Sequence, residues 1–82
     1  MDIISVRPQS DHKLFICFED GSEGLLDLKT VIPFEGVFSS LADQHFFSLV
    51  TVNKEVGTIQ WPNGADLDPD VLHDLLVKKI PG

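Results

Sequence analysis

The chain has 82 residues, a formal net charge of −7 and a single cysteine. That is enough for one domain, and a domain so small buries only about 60–65% of its unfolded surface, so its stability margin is thin. A hydrophobic content of 43% argues against disorder, and the acidic balance repels phosphate backbones, which argues against direct nucleic-acid binding.

Six Phe and one Trp supply the large apolar surfaces that a small core needs. The charge is unevenly placed. Residues 19–43 carry Glu19, Asp20, Glu23, Asp27, Glu35 and Asp43 against Lys29, and residues 66–74 add Asp66, Asp68, Asp70 and Asp74. Such a surface suits a basic protein partner, although solubility alone also accounts for it. With Cys17 as the sole cysteine, an intramolecular disulfide and a multi-thiolate zinc site are excluded, and a reducing cytoplasm is the expected location. The N-terminal residues lack the basic and apolar regions of a signal peptide. No apolar run approaches the roughly 20 residues of a membrane span.

The elements follow in chain order. Residues 3–7 read as a short strand with Ile4 and Val6 on one face, and residues 8–11 as a polar turn. Residues 13–18 form the clearest strand. Leu14, Ile16 and Phe18 point one way, Phe15 and Cys17 the other, so the strand is expected to be central and covered on both faces. Asp20-Gly21 marks a tight hairpin turn into a third strand over 23–28, with Leu26 and Leu28 on the core face.

Residues 29–48 contain Pro33 and Gly36, which rule out a long helix. Ser39 or Ser40 is the expected cap of a short helical turn near Leu41, and Phe38, Leu41, Phe46 and Phe47 are expected to be buried. Residues 49–53 and 56–61 form a second hairpin, rich in β-branched residues and joined by Lys54-Glu55. The last element is a helix from Pro69 to Lys79. Asp68 is its N-cap, Asp70 and Lys78-Lys79 complement the two ends of the helix dipole, and Pro81-Gly82 stops it. Val71, Leu72, Leu75, Leu76 and Ile80 make an apolar stripe that must pack on the sheet.

The expected fold is therefore one α+β domain over residues 1–82. It is a small two-layer domain in the order β-β-β-(short α)-β-β-α, a mostly antiparallel five-stranded sheet packed by a C-terminal helix. The pairing between the two hairpin units is left open.

The segments Phe18-Glu19-Asp20-Gly21, Leu26-Asp27-Leu28, Leu41-Ala42-Asp43, Phe46 and Ile59-Gln60-Trp61-Pro62-Asn63-Gly64-Ala65-Asp66-Leu67 resemble a small bacterial family, the domain-of-unknown-function 2442 proteins. The resemblance covers nearly the whole chain, and the Trp-Pro-Asn-Gly-x-Asp-Leu block is its most specific part. It implies a compact domain of three strands, a short helix, two strands and a closing helix. It also implies a setting beside a second small protein in a toxin–antitoxin-like arrangement. Some relatives carry a C-terminal helix-turn-helix. The sequence has no such segment before Gly82, so the expectation is against DNA binding. The family supplies no catalytic residues to carry over.

Candidate chemistry is sparse. Asp66, Asp68 and Asp70 alternate as in a calcium loop, but Val71 and Val77 stand where an EF-hand needs Gly and Glu, and Pro69 stiffens the middle; a helix cap is the simpler account. His12, His45 and His73 have no metal-ligand spacing, and His73 is expected to pair with Asp70 one helical turn away. Cys17 sits among Phe15, Ile16 and Phe18, the setting of an inert buried thiol. There is no nucleophile elbow, P-loop or dinucleotide fingerprint.

Trp61 has two roles open to it: packing over the helix start, against Leu67, or anchoring a partner at the surface. Asn63-Gly64 reads first as a turn that requires positive φ.

The leading functional expectation is a non-enzymatic protein-interaction module, antitoxin-like, that binds an unidentified basic protein and needs no cofactor or metal. Its candidate interaction residues are Glu19, Asp20, Glu23, Trp61, Asn63, Asp66 and Asp70. An open sheet edge offers a second mode of binding and would also permit a homodimer. A regulatory or transcription-associated domain acting through a partner is the alternative. An enzyme with a shallow acidic site built from Asp66, Asp70 and His73 is a third.

Overall fold

The computed structural model describes residues 1–78, with side chains through Leu76. The expected helix end at Lys79, the role of Ile80 and the Pro81-Gly82 stop lie outside the described residues. Six strands and two α-helices follow in order: β1 (Ile3–Gln9), β2 (Lys13–Phe18), β3 (Glu23–Asp27), α1 (Gln44–Phe47), β4 (Thr51–Asn53), β5 (Thr58–Gln60), β6 (Asp66–Leu67) and α2 (Pro69–Lys78). Two 3-10 helices, Leu28–Thr30 and Gly36–Ala42, occupy the stretch between β3 and α1. The α+β class and the closing helix are as expected.

The sheet is not one of five strands. Two antiparallel three-stranded sheets form instead, in the orders β1-β2-β3 and β4-β5-β6. The reason is local. The 54–57 turn shortens both arms of the second hairpin, and the chain after Trp61 folds straight back so that Asp66 and Leu67 pair with Gln60 and Ile59. The two sheets meet where the Ile3 N–H donates to the Gly57 carbonyl, at a bulge in β1 between Ile3 and Ser5.

β1 runs past its expected end and includes Pro8, which stands opposite Leu14. The Phe18 N–H bonds Ser22 and the Leu28 N–H bonds His12, so the even-numbered residues of β2 turn their backbone groups towards β3 and the odd-numbered ones towards β1. The position of Pro8 therefore faces away from β2, where a missing N–H costs the ladder nothing.

The same alternation sorts the side chains. Ile3, Leu14, Ile16, Phe18 and Leu26 are buried. Arg7, Phe15, Cys17, Glu23 and Leu25 take the other face. β2 is central, as expected, but it is covered on one face only: Phe15 and Cys17 are half-buried and Leu25 is 46% exposed. α2 packs on the inner face of this sheet, at β3.

Leu28 is buried as expected but begins a 3-10 helix, because the Asp27 side chain accepts the Lys29 N–H and turns the chain. Further on, the helical turn at Leu41 is the 3-10 helix Gly36–Ala42, which starts before Ser39 and Ser40 and has Glu35 at its N-cap position with no side-chain bond, so neither serine caps it. Asp43 caps α1, accepting from the His45 N–H at 3.0 Å. Leu41 and Phe47 are fully buried, while Phe38 and Phe46 pack half-buried against the core. In α2, Asp68 accepts the Asp70 N–H at 2.8 Å, the expected cap. Leu72 and Leu76 are buried and Leu75 partly so, whereas Val71 is 53% exposed and lies off the stripe. α2 sits on β3 at Gly24, where any Cβ would run into the Leu76 side chain.

Gly24→Val is accordingly expected to destabilise the fold by about 1–3 kcal/mol through overpacking. Denaturant titration should show a lowered midpoint at unchanged slope.

Candidate interaction surface

The β2–β3 turn is tied to the closing helix through one carboxylate. Gly21 takes φ +89°, and its N–H bonds the Phe18 carbonyl. Asp20 Oδ1 accepts the Ser22 hydroxyl at 2.6 Å and the Ser22 N–H at 2.9 Å, while Oδ2 lies 2.9 Å from His73 Nε2 on α2. The His73 ring stands edge-on to Phe18 at 4.9 Å. These contacts, the Ser22 hydroxyl first, then its N–H and then His73, hold the Asp20 carboxyl down to about 2 from 3.8. The expected His73–Asp70 pair is thus replaced. The fold brings the turn to His73, and Asp70 instead accepts the Met1 ammonium at 2.8 Å.

That ammonium lies in a field of acids. Its pKa is raised, chiefly by the bond to Asp70, with burial opposing, and further by the charges of Asp70, Asp2 and Glu19. The Asp70 carboxyl is lowered in return, by the same bond. Glu19 is joined to the N-terminal segment by its N–H, which bonds the Asp2 carbonyl at 3.0 Å. Beside it, Asp2, Ile3, Ile4, Glu19 and Lys54 line an open cleft of about 350 Å³. The adjacent Glu19 and Asp20 therefore share one end of the molecule with Asp2 and Asp70, both remote from them in sequence.

Glu23 stands apart from that cluster, on the open face of the first sheet. The Cys17 thiol donates to its Oε2 at 3.3 Å. Cys17 is half-buried on this face and is not enclosed in the core.

The Trp61–Leu67 block is a structural staple. Trp61 is 2% exposed, and its indole N–H donates to the Phe47 carbonyl at 2.9 Å. Its ring lies 6.1 Å from that of Phe47. Of its two expected roles it takes the packing one, against α1, and it is not available as a surface anchor. Gly64, at φ +91°, closes the turn with its N–H on the Trp61 carbonyl, and the Trp61 N–H returns to Ala65. Asn63 accepts the Ala65 N–H through Oδ1 and donates through Nδ2 to the Val37 carbonyl at 3.0 Å. Asp66 is exposed and paired in register with Gln60. The contacts of Asn63 and Asp66 run to the 36–42 segment and to β5, not to the Glu19–Asp20 turn.

His12 is a clamp that sequence reasoning missed. Asp11 and His12 both have positive φ, 61° and 58°. The conformation is held from three sides: the His12 N–H donates to Gln44 Oε1, its Nε2 lies 2.9 Å from the Ala42 carbonyl, and its carbonyl accepts the Leu28 N–H. Its ring packs on Phe34 and Phe47. Among the described residues no group of three or more His, Cys, Asp or Glu is placed to hold a metal ion, and no helix is long and apolar enough to cross a membrane.

Two measurements test this geometry. Trp61→Phe leaves the Phe47 carbonyl with only its long bond from the Val50 N–H, at 3.4 Å, and should cost about 1–3 kcal/mol in urea unfolding followed by circular dichroism. Asp20 has a folded-state pKa below its unfolded value, so its contribution is present above 3.8 and is lost as pH falls towards about 2. The thermal midpoint of the wild type should fall across that window, and Asp20→Asn should flatten this acid limb.

Residues 3–77 match the family described as "Protein of unknown function (DUF2442)". No curated protein and no solved structure matches the chain.

Proposed function

We propose that this chain, which belongs to the DUF2442 family, is a non-enzymatic protein-interaction module, the acidic member of an antitoxin-like pair with a small basic protein. One observation carries the reading: Asp2, Glu19 and Asp70, drawn from three separate segments, converge on the Met1 ammonium at one end of the fold, with Asp20 next to Glu19 in the chain. A surface of one sign steers an oppositely charged partner and sets the register of docking. The half-exposed thiol of Cys17 suits a reducing bacterial cytoplasm. Glu19 and Glu23, at the two ends of the β2–β3 turn, are the residues whose charge a partner meets without disturbing the core.

The test is an affinity pulldown of the tagged protein from its native host at low and high salt, read by mass spectrometry. A single small basic protein should be captured by the wild type, released as salt rises, and lost with Glu19→Lys/Glu23→Lys. Capture of no specific protein, or of one indifferent to both salt and charge reversal, overturns the reading.

A further inference from the structure

β3 is an edge strand with its outer side open. Among the described residues it pairs with β2 alone. The ladder of bonds that runs through the Phe18–Ser22 and His12–Leu28 pairs uses the even-numbered residues of this hairpin, so Gly24 and Leu26 bond β2 and the N–H and C=O groups of Glu23 and Leu25 point away. The Asp27 N–H points the same way, its carbonyl being taken by the Thr30 hydroxyl at 2.8 Å. The side chains of the same three residues lie on the sheet face that α2 leaves uncovered, and Leu25 is 46% exposed beside the half-buried Phe15.

We infer that this edge accepts an added β-strand from the partner, a segment with basic residues at alternate positions around one apolar residue. The inference rests on the interaction reading above and deepens it. Backbone groups of Glu23, Leu25 and Asp27 supply the bonds. On the open face an apolar side chain continues the Phe15–Leu25 row, and cationic side chains fall beside Glu23 and Asp27.

A second β3 edge does not fit. Antiparallel self-pairing centred on Leu25 sets Glu23 of each copy opposite Asp27 of the other, and parallel pairing aligns like with like, in a chain already at −7. The charges that close this edge to itself select a basic strand.

The probe is an end-capped peptide, Lys-Thr-Val-Thr-Lys, whose symmetry suits either strand direction. It is titrated into the full chain and followed by backbone amide NMR and hydrogen exchange. Shifts should centre on Glu23, Leu25 and Asp27, and exchange of the Leu25 amide should slow about tenfold or more on saturation. Binding should weaken about tenfold between about 0.05 M and about 0.5 M salt. The isomeric peptide Lys-Lys-Val-Thr-Thr, which lacks the alternation, should bind more weakly.

Leu25→Pro removes an outward N–H, as Pro8 does on the opposite edge, and should abolish binding while the core amide spectrum is kept. Glu23→Lys should do so by charge if Leu25→Pro does not fold. Absence of shifts, equal binding of the isomer, or concentration-dependent dimerisation of the free chain overturns the inference. So do shifts at Glu19, Asp20 and Asp70 in place of β3, an outcome that leaves the interaction reading standing. Loss of every partner in the pulldown would remove that reading itself.

Discussion

The Trp61 indole N–H reaches across the interior to the Phe47 carbonyl, at the last residue of α1, and much of the chain hangs from that bond. The other bond to that carbonyl, from the Val50 N–H, is long at 3.4 Å, so the indole is its close partner, and an 82-residue chain has little stability to lose. The bond fixes where α1 ends relative to the start of the β5–β6 hairpin. Phe47 in turn carries the ring of His12, and His12 carries the β1–β2 hairpin through Ala42 and Gln44. One aromatic residue thus joins both sheets to the irregular middle of the chain. No polar or charged side chain is buried among the described residues, so the specificity of this core comes from backbone groups placed to meet a few side-chain donors and acceptors.

What the sequence made legible was whatever depends on neighbours in the chain. The Leu14-Ile16-Phe18 alternation, the Asp20-Gly21 turn and the Asp68-Pro69 helix start are decided within a few residues, and all stand where they are expected. The division into two sheets was not legible, because it depends on a two-residue strand, Asp66–Leu67, with no periodicity of its own. The start of the helical turn at Leu41 was misplaced for a similar reason. Ser39 and Ser40 are competent caps, but the 3-10 helix begins at Gly36, ahead of both, and Asp43 starts a second helix after it. Val71 has the right spacing for the helix stripe but faces beyond the small sheet that α2 covers.

The acidic surface was legible as a composition and illegible as a place. Glu19, Asp20 and Asp70 meet only because His73 and the chain start are both carried to the β2–β3 turn. The β3 edge left a signal that could have been read: in Glu23-Gly24-Leu25-Leu26-Asp27, polar residues flank Leu25 at a period of two while Gly24 and Leu26 take the other face. His12 left none, since nothing local in Asp11-His12 announces consecutive positive φ angles.

The two margins of the first sheet are unlike. Along β1 a proline stands at an outward position, and the Ile3 N–H is already spent on Gly57. Along β3 the backbone is open and flanked by carboxylates. A sheet with one closed and one open margin has a valence of one. A strand added there fills the one open margin of this sheet, so growth along it stops after a single addition.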